Sequence, residues 1–239
     1  MPALRGWGVA GDGSLLAMRS RQPLARPERI PEAGTITSIV ASGRGGRQAE
    51  LTLNTGATYT IDINVFLDHD LYVGAVLDLP AITSLLQADD VAAAKAVATR
   101  QLAYRARSTA ELRKTLADRG FADAAIAEVV ERFLELGYLN DEDFARRWIA
   151  SRDQIAPRGA RLLRQELRQK GIEADLAEQT LIEADLDDLE TARQLAERRM
   201  DRLRDLPQDT ARRRLAGYLE RRGFSHETMR KIDREFFRR

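Results

Sequence analysis

Ser108–Phe121, STAELRKTLADRGF, decides how this chain folds, because a version of it returns twice downstream in the same register. Ser108 and Glu111 stand at the S-x-x-E spacing of a capping box, in which the serine oxygen and the glutamate satisfy N–H groups that the first helical turn leaves unpaired. Leu112 and Leu116 share one helical face. Gly120 suits the left-handed residue that ends a helix, Arg119 complements the carbonyl pole, and Phe121 starts the return path. The segment reads as a helix, a tight turn and the start of another helix.

The second copy is 159–172, GARLLRQELRQKGI, with Leu163, Leu167, Gly171 and Ile172 at the matching places and Lys170 for Arg119. The third is 211–224, ARRRLAGYLERRGF, with Leu215, Leu219, Gly223 and Phe224, and with Asp209 as the expected upstream cap. The three glycines lie 51 and then 52 residues apart. A long, constant period marks a tandem repeat of supersecondary units.

Each signature has helical neighbours. Asp123 is expected to cap a helix whose apolar face is Ile126, Val129, Val130, Phe133 and Leu134. A helix over 141–152 and another from Asp175 flank the second signature; one over 187–204 and one capped by Ser225 flank the third. The expected architecture is mainly α: three-helix, helix-turn-helix-like repeats over 82–139, 140–186 and 187–239, stacked in an elongated row. Upstream, TITSIV, AELTL and ATYTIDI alternate in hydropathy between glycine-rich hairpin signals. With a short helix over 64–71 and a last strand in AVLDL stopped by Pro80, they predict a small antiparallel β domain over 32–81. Residues 1–31, rich in arginine, glycine and proline, are expected to be a mobile basic tail, and Met18 within it is a second candidate start.

Composition narrows the chemistry. The 239 residues include no cysteine, which excludes disulfides, thiolate metal sites and cysteine nucleophiles. No apolar run has transmembrane length, so a soluble, cytoplasmic protein without membrane association is expected. There is no phosphate-binding loop or dinucleotide fingerprint. The two histidines, His69 and His226, lie in unrelated segments. No enzyme, cofactor or metal site is expected. The acids Asp141, Glu142 and Asp143 are placed as helix-start residues.

The net charge of +1 conceals segregation: 32–90 sums to −6 and 146–170 to +6. With ~100° per residue and Leu163 as zero, Leu167 falls near 40°, while Arg164, Arg168 and Arg161 fall near 100°, 140° and 160°. Arg158 and Lys170 extend this stripe, Arg146 and Arg147 rise from the preceding helix, and Glu166 is the lone acid between Arg158 and Lys170. Such a face suits phosphates or an acidic protein surface. Arg213 and Arg221 of the third unit are candidates of the same kind. Trp148 reads as core.

These blocks, with 137–145, GYLNDEDFA, in their order along the chain, resemble the RecX family of bacterial regulators from about Val91 to the C-terminus. The resemblance implies tandem three-helix units that bind filaments of the RecA recombinase and restrain ATP hydrolysis, strand exchange and coprotease activity in DNA repair and the SOS response. It also implies DNA contact through phosphates, single- or double-stranded; a monomer is expected. The family carries no catalytic motif. The alternative is a helix-turn-helix-like regulator acting on DNA without RecA, which requires base-reading side chains; no asparagine or glutamine set is placed to read adenine.

Overall fold

The computed structural model describes residues 29–237. Residues 1–28, including most of the expected tail and Met18, lie outside the described residues.

Alternating hydropathy gives β1 (Gly34–Ser42), β2 (Gln48–Leu53) and β3 (Thr58–Asp62), followed by α1 (Ile63–Asp68) and β4 (Val76–Leu77). The sheet is antiparallel in the order β3-β2-β1-β4. One face, with Ile36, Leu51, Leu53, Tyr59 and Ile61, is buried. What covers it is α2 (Leu79–Tyr104), through Ile82, Leu85 and Leu86. Pro80 therefore does more than end a strand: Asp78 caps α2, accepting from Ala81 N at 2.8 Å, and Pro80 occupies the first turn, where its missing N–H costs nothing. The far half of α2 places Ala94, Val97 and Ala98 in the next core, so the division expected at 81/82 falls inside one continuous helix.

The described end of the expected tail is held rather than loose. Arg29 donates to Asp89 at 2.6 Å, to Asp90 at 2.5 Å and to the Leu86 carbonyl at 3.1 Å. Tyr59 Oη donates to the Ile30 carbonyl at 2.8 Å and accepts from Glu32 N at 2.9 Å. Asp89 is buried and also accepts from Asp62 N, so its charge is both paired and hydrogen-bonded.

Three three-helix repeats follow. The first is the far half of α2 with α3 (Thr109–Ala117) and α4 (Asp123–Glu135); the second is α5 (Asp141–Ile155), α6 (Ala160–Gln169) and α7 (Ala174–Glu183); the third is α8 (Asp188–Met200), α9 (Gln208–Arg221) and α10 (His226–Phe237). In each, both signature leucines are no more than 2% exposed. Gly120, Gly171 and Gly223 have φ of +79°, +76° and +84°. After each glycine the next N–H returns to the second signature leucine: Phe121 to Leu116, Ile172 to Leu167 and Phe224 to Leu219, at 3.0–3.3 Å. Each repeat has its own core.

Some expected caps differ. Ser108 and Ser225 accept from Glu111 N and Thr228 N as the sequence predicts. Asp123 and Asp209 do not cap; they lie in the first turns after Ala122 and Pro207, where their charge complements the helix dipole. Leu134 is 44% exposed and leaves the apolar face expected for it. Among the described residues no helix is long and apolar enough to cross a membrane.

Candidate functional site

The basic residues of the second repeat lie outside its core, yet most have partners that the sequence did not place near them. On α5, Arg146 pairs with Glu142 and reaches Glu183 on α7 at 3.2 Å, and Arg147 pairs with Asp143 at 2.9 Å. Arg164 on α6 forms a two-pronged bond to Glu178 on α7, at 2.6 and 3.1 Å. The hydrogen bond to Glu178 raises the Arg164 pKa, and that from Arg164 holds the Glu178 carboxyl below its ordinary range. Arg158 pairs with Glu166, which also accepts from Arg152 at 3.3 Å and from Trp148 Nε1 at 3.0 Å. Burial and the nearby Arg152 and Arg222 lower the Arg158 pKa. Trp148 stacks on Phe144, with Arg152 4.1 Å and Lys170 4.8 Å from its ring centroid.

Two members of the stripe are spent on neighbouring repeats. Lys170 Nζ binds Glu111 of the first repeat at 2.7 Å, and Arg161 donates to the Glu220 carbonyl of the third at 3.0 Å. The helical wheel saw only the acids on its own helix; Glu111, Glu178 and Glu183 come from elsewhere. Of the cations named from sequence, the side chains of Arg168, Arg213 and Arg221 are exposed and have no hydrogen-bond or ion-pair partner among the described residues. The continuous bare stripe is thus reduced to separated free guanidinium groups beside a neutralised network.

The contacts that absorb the stripe recur at both junctions between repeats. Ser108 Oγ, at the N-terminus of α3, donates to the Lys170 carbonyl at the C-terminus of α6, at 2.5 Å. Gly159 N, at the N-terminus of α6, donates to the Arg222 carbonyl at the C-terminus of α9, at 2.9 Å. Ser108 and Gly159 hold the same place in their repeats, as do Lys170 and Arg222. An aspartate of the following repeat then meets each N-terminus: Asp141 accepts from Thr109 N at 2.8 Å, and Asp188 from Ala160 N at 3.1 Å. The signature helices therefore run head to tail, α9 to α6 to α3, each carbonyl pole facing the next amide pole. The spacing is tight: a Cβ on Gly171 would lie 2.2 Å from Ala110 Cβ, and one on Gly223 would lie 2.3 Å from Leu162 Cβ. Sequence reading missed these junctions, although a signal existed in Asn140-Asp141 and Asp187-Asp188, which open the second and third repeats alike.

Among the described residues there is no group of histidines and acids able to hold a metal.

Models of the RecX second, first and third three-helix domains match residues 140–181, 94–133 and 186–232. A protein named Regulatory protein RecX from Mycolicibacterium smegmatis is 41% identical over 140 residues, covering 55% of this chain and 73% of that one. Another of the same name from Bacillus licheniformis is 29% identical over 195 residues, covering 81% and 74%. A crystal structure of regulatory protein RecX superposes with a TM-score of 0.65 at 22% identity, covering 83% of this chain and 98% of that one; RecX from Lactobacillus salivarius gives 0.57 at 24%, covering 62% and 97%. These two share the fold. With its repeats matched domain by domain and in order, this chain belongs to the RecX family of regulatory proteins.

Proposed function

We propose that this chain regulates the RecA recombinase, mainly as an inhibitor, by lying along the groove of the RecA–DNA filament and restraining ATP hydrolysis, strand exchange and coprotease activity. The partner comes from the family resemblance. The observation that carries the reading is the recurrence of one junction between successive repeats, Ser108 on the Lys170 carbonyl and Gly159 on the Arg222 carbonyl. Modules joined by one geometry present corresponding surfaces at regular steps, which suits a partner built of identical subunits. Contact falls to the exposed, unpaired Arg168, Arg213 and Arg221, while Arg158, Arg161, Arg164 and Lys170 hold the body in shape. Charge-led binding of this kind weakens as salt rises.

The test is inhibition of RecA ATP hydrolysis on single-stranded DNA by the full chain. Changing Arg168, Arg213 and Arg221 together to glutamate is expected to reduce inhibition at least roughly tenfold with helix content unchanged, since charge reversal turns attraction at each contact into repulsion. Unaltered inhibition by that variant removes these residues from the interface, and absence of inhibition by the unaltered chain removes the recombinase as partner.

A further inference from the structure

A second basic site lies where the second and third repeats meet, and the signature pattern did not point to it. Arg198 and Arg199 on α8, Arg202 just beyond it and Arg222 at the end of α9 line one cavity of about 380 Å³. No carboxylate lines it among the described residues. Its floor is Tyr218, whose ring centroid lies 5.2 Å from the Arg199 guanidinium and 4.8 Å from that of Arg222. The ring attracts both cations through its π face and leaves edge N–H groups unused, so they are oriented before any ligand arrives. Arg222 spends one N–H on the Pro157 carbonyl at 3.1 Å. Arg199 Nε is buried without a hydrogen-bond partner, which is uncommon for a group that costs free energy when left unmet. The Arg198 and Arg202 side chains are exposed and likewise have no hydrogen-bond or ion-pair partner among the described residues.

Several guanidinium groups elsewhere in the described residues find acids, among them Arg146, Arg147, Arg164, Arg193 and Arg212. Four guanidinium groups around one hollow with no carboxylate among its described lining residues focus positive potential there. We infer that this cavity binds phosphate groups, held by the Arg198, Arg199, Arg202 and Arg222 guanidinium groups and bridging the second and third repeats. Phosphate matches the planar fork of arginine and offers several acceptor oxygens to converging donors, whereas a single carboxylate leaves most of these N–H groups unanswered. The apolar lining residues Ile155, Pro157 and Leu195 suit the sugar or base next to such a phosphate. The chemistry is shared by two sources, a nucleic-acid strand and a free polyphosphate.

The experiment uses the full chain without recombinase, so its outcome is separate from that of the recombinase reading. Binding of fluorescein-labelled oligothymidylate is followed by anisotropy across a salt series, and binding of sodium tripolyphosphate by calorimetry. The test variant carries Arg198→Glu with Arg202→Glu. The control carries the same charge change on the exposed β1–β2 hairpin, Arg44→Glu with Arg47→Glu. The pocket variant is expected to bind at least one probe roughly tenfold more weakly than the control; for the oligonucleotide, losing two phosphate contacts lowers the salt slope by about 1.4. Loss confined to tripolyphosphate identifies a free polyphosphate as the ligand, and loss for the oligonucleotide identifies a strand. Equal binding of both probes by pocket and hairpin variants overturns the site. Displacement of the oligonucleotide by polyglutamate at equal charge also overturns it, because the surface then answers to acidic protein.

Discussion

The junction between the first and second repeats and that between the second and third share one geometry and differ in the groups that make it. At the first, Ser108 supplies a hydroxyl to the Lys170 carbonyl, and Lys170 reaches across to Glu111, itself bound by Arg105 at 2.9 Å. At the second, Gly159 offers only its backbone N–H, and the reaching groups are Arg161 and Arg222, which end on the Glu220 and Pro157 carbonyls rather than on acids. The reason lies in approach distance: a Cβ on Gly159 would sit 2.5 Å from the Gly223 carbonyl oxygen. Where the backbones come this close, side-chain chemistry is replaced by backbone chemistry. One junction rests on an ion-pair network and the other on fit.

Both junctions depend on the cores beside them, and the largest effect is expected there. Leu163 is 2% exposed in the second repeat, between the two junctions, and Leu163→Ala should cost ~2–5 kcal/mol, measured by chemical denaturation. The change should loosen both junctions equally. Gly159→Ala sharpens the contrast. The φ of Gly159 is −72°, so alanine is conformationally acceptable and on backbone grounds would stabilise. Contact with the Gly223 carbonyl should reverse that sign and cost about 1–3 kcal/mol as overpacking. A variant as stable as the parent would mean that the second junction is looser than these distances state.

Ser108→Ala addresses the first junction with a smaller expected effect. The hydroxyl both accepts from Glu111 N at 3.1 Å and donates to the Lys170 carbonyl, and it is fully buried. Its removal should cost about 1–2 kcal/mol, the range of a lost helix cap. Ser108→Gly, which copies the second junction, should not recover this unless the backbones also move together. Thermal unfolding of the two variants side by side decides between these.

What was legible in the sequence is what is local. Leu112 and Leu116, Leu163 and Leu167, Leu215 and Leu219 recur at helical spacing before a glycine, and that pattern is sufficient to give the repeats, their cores and their turns. The strands were legible for the same reason, since alternation is read within a few residues. The long reach of α2 was hidden by Pro80, which stops a strand and starts a helix with equal ease. The partners of the cationic stripe were not legible because charge pairing is not local. Arg164 meets Glu178 and Lys170 meets Glu111, partners 14 and 59 residues away that a wheel drawn for one helix cannot include. The cavity around Tyr218 is lined from α8 and the turn after it, from α9 and its C-terminal end, and from the end of α5 with the loop that follows, so no single window of sequence contains it.

Acidity separates the junctions by the sign of a small effect. Burial works to raise the Glu111 pKa, but hydrogen bonds from Arg105 and Lys170 outweigh it and the pKa falls below its ordinary value. The Asp188 pKa is raised, mainly by burial and further by Asp187, against the opposing bond from Ala160 N. For Glu111 the folded state favours the ionised form, so its contribution is present above the unfolded pKa and disappears as pH falls through the lower folded pKa. For Asp188 the folded state favours the protonated form, so stability declines as pH rises from the ordinary aspartate pKa through the raised one. Glu111→Gln should therefore lower the melting temperature at pH 7 and lose that effect in acid. Asp188→Asn, which keeps an acceptor for Ala160 N, should raise the melting temperature at pH 7 relative to its effect in acid. Melting curves of both variants and the parent across the acid range test the pair. Parallel pH profiles for the two substitutions would show that the junctions share one electrostatic character and that their difference is steric alone.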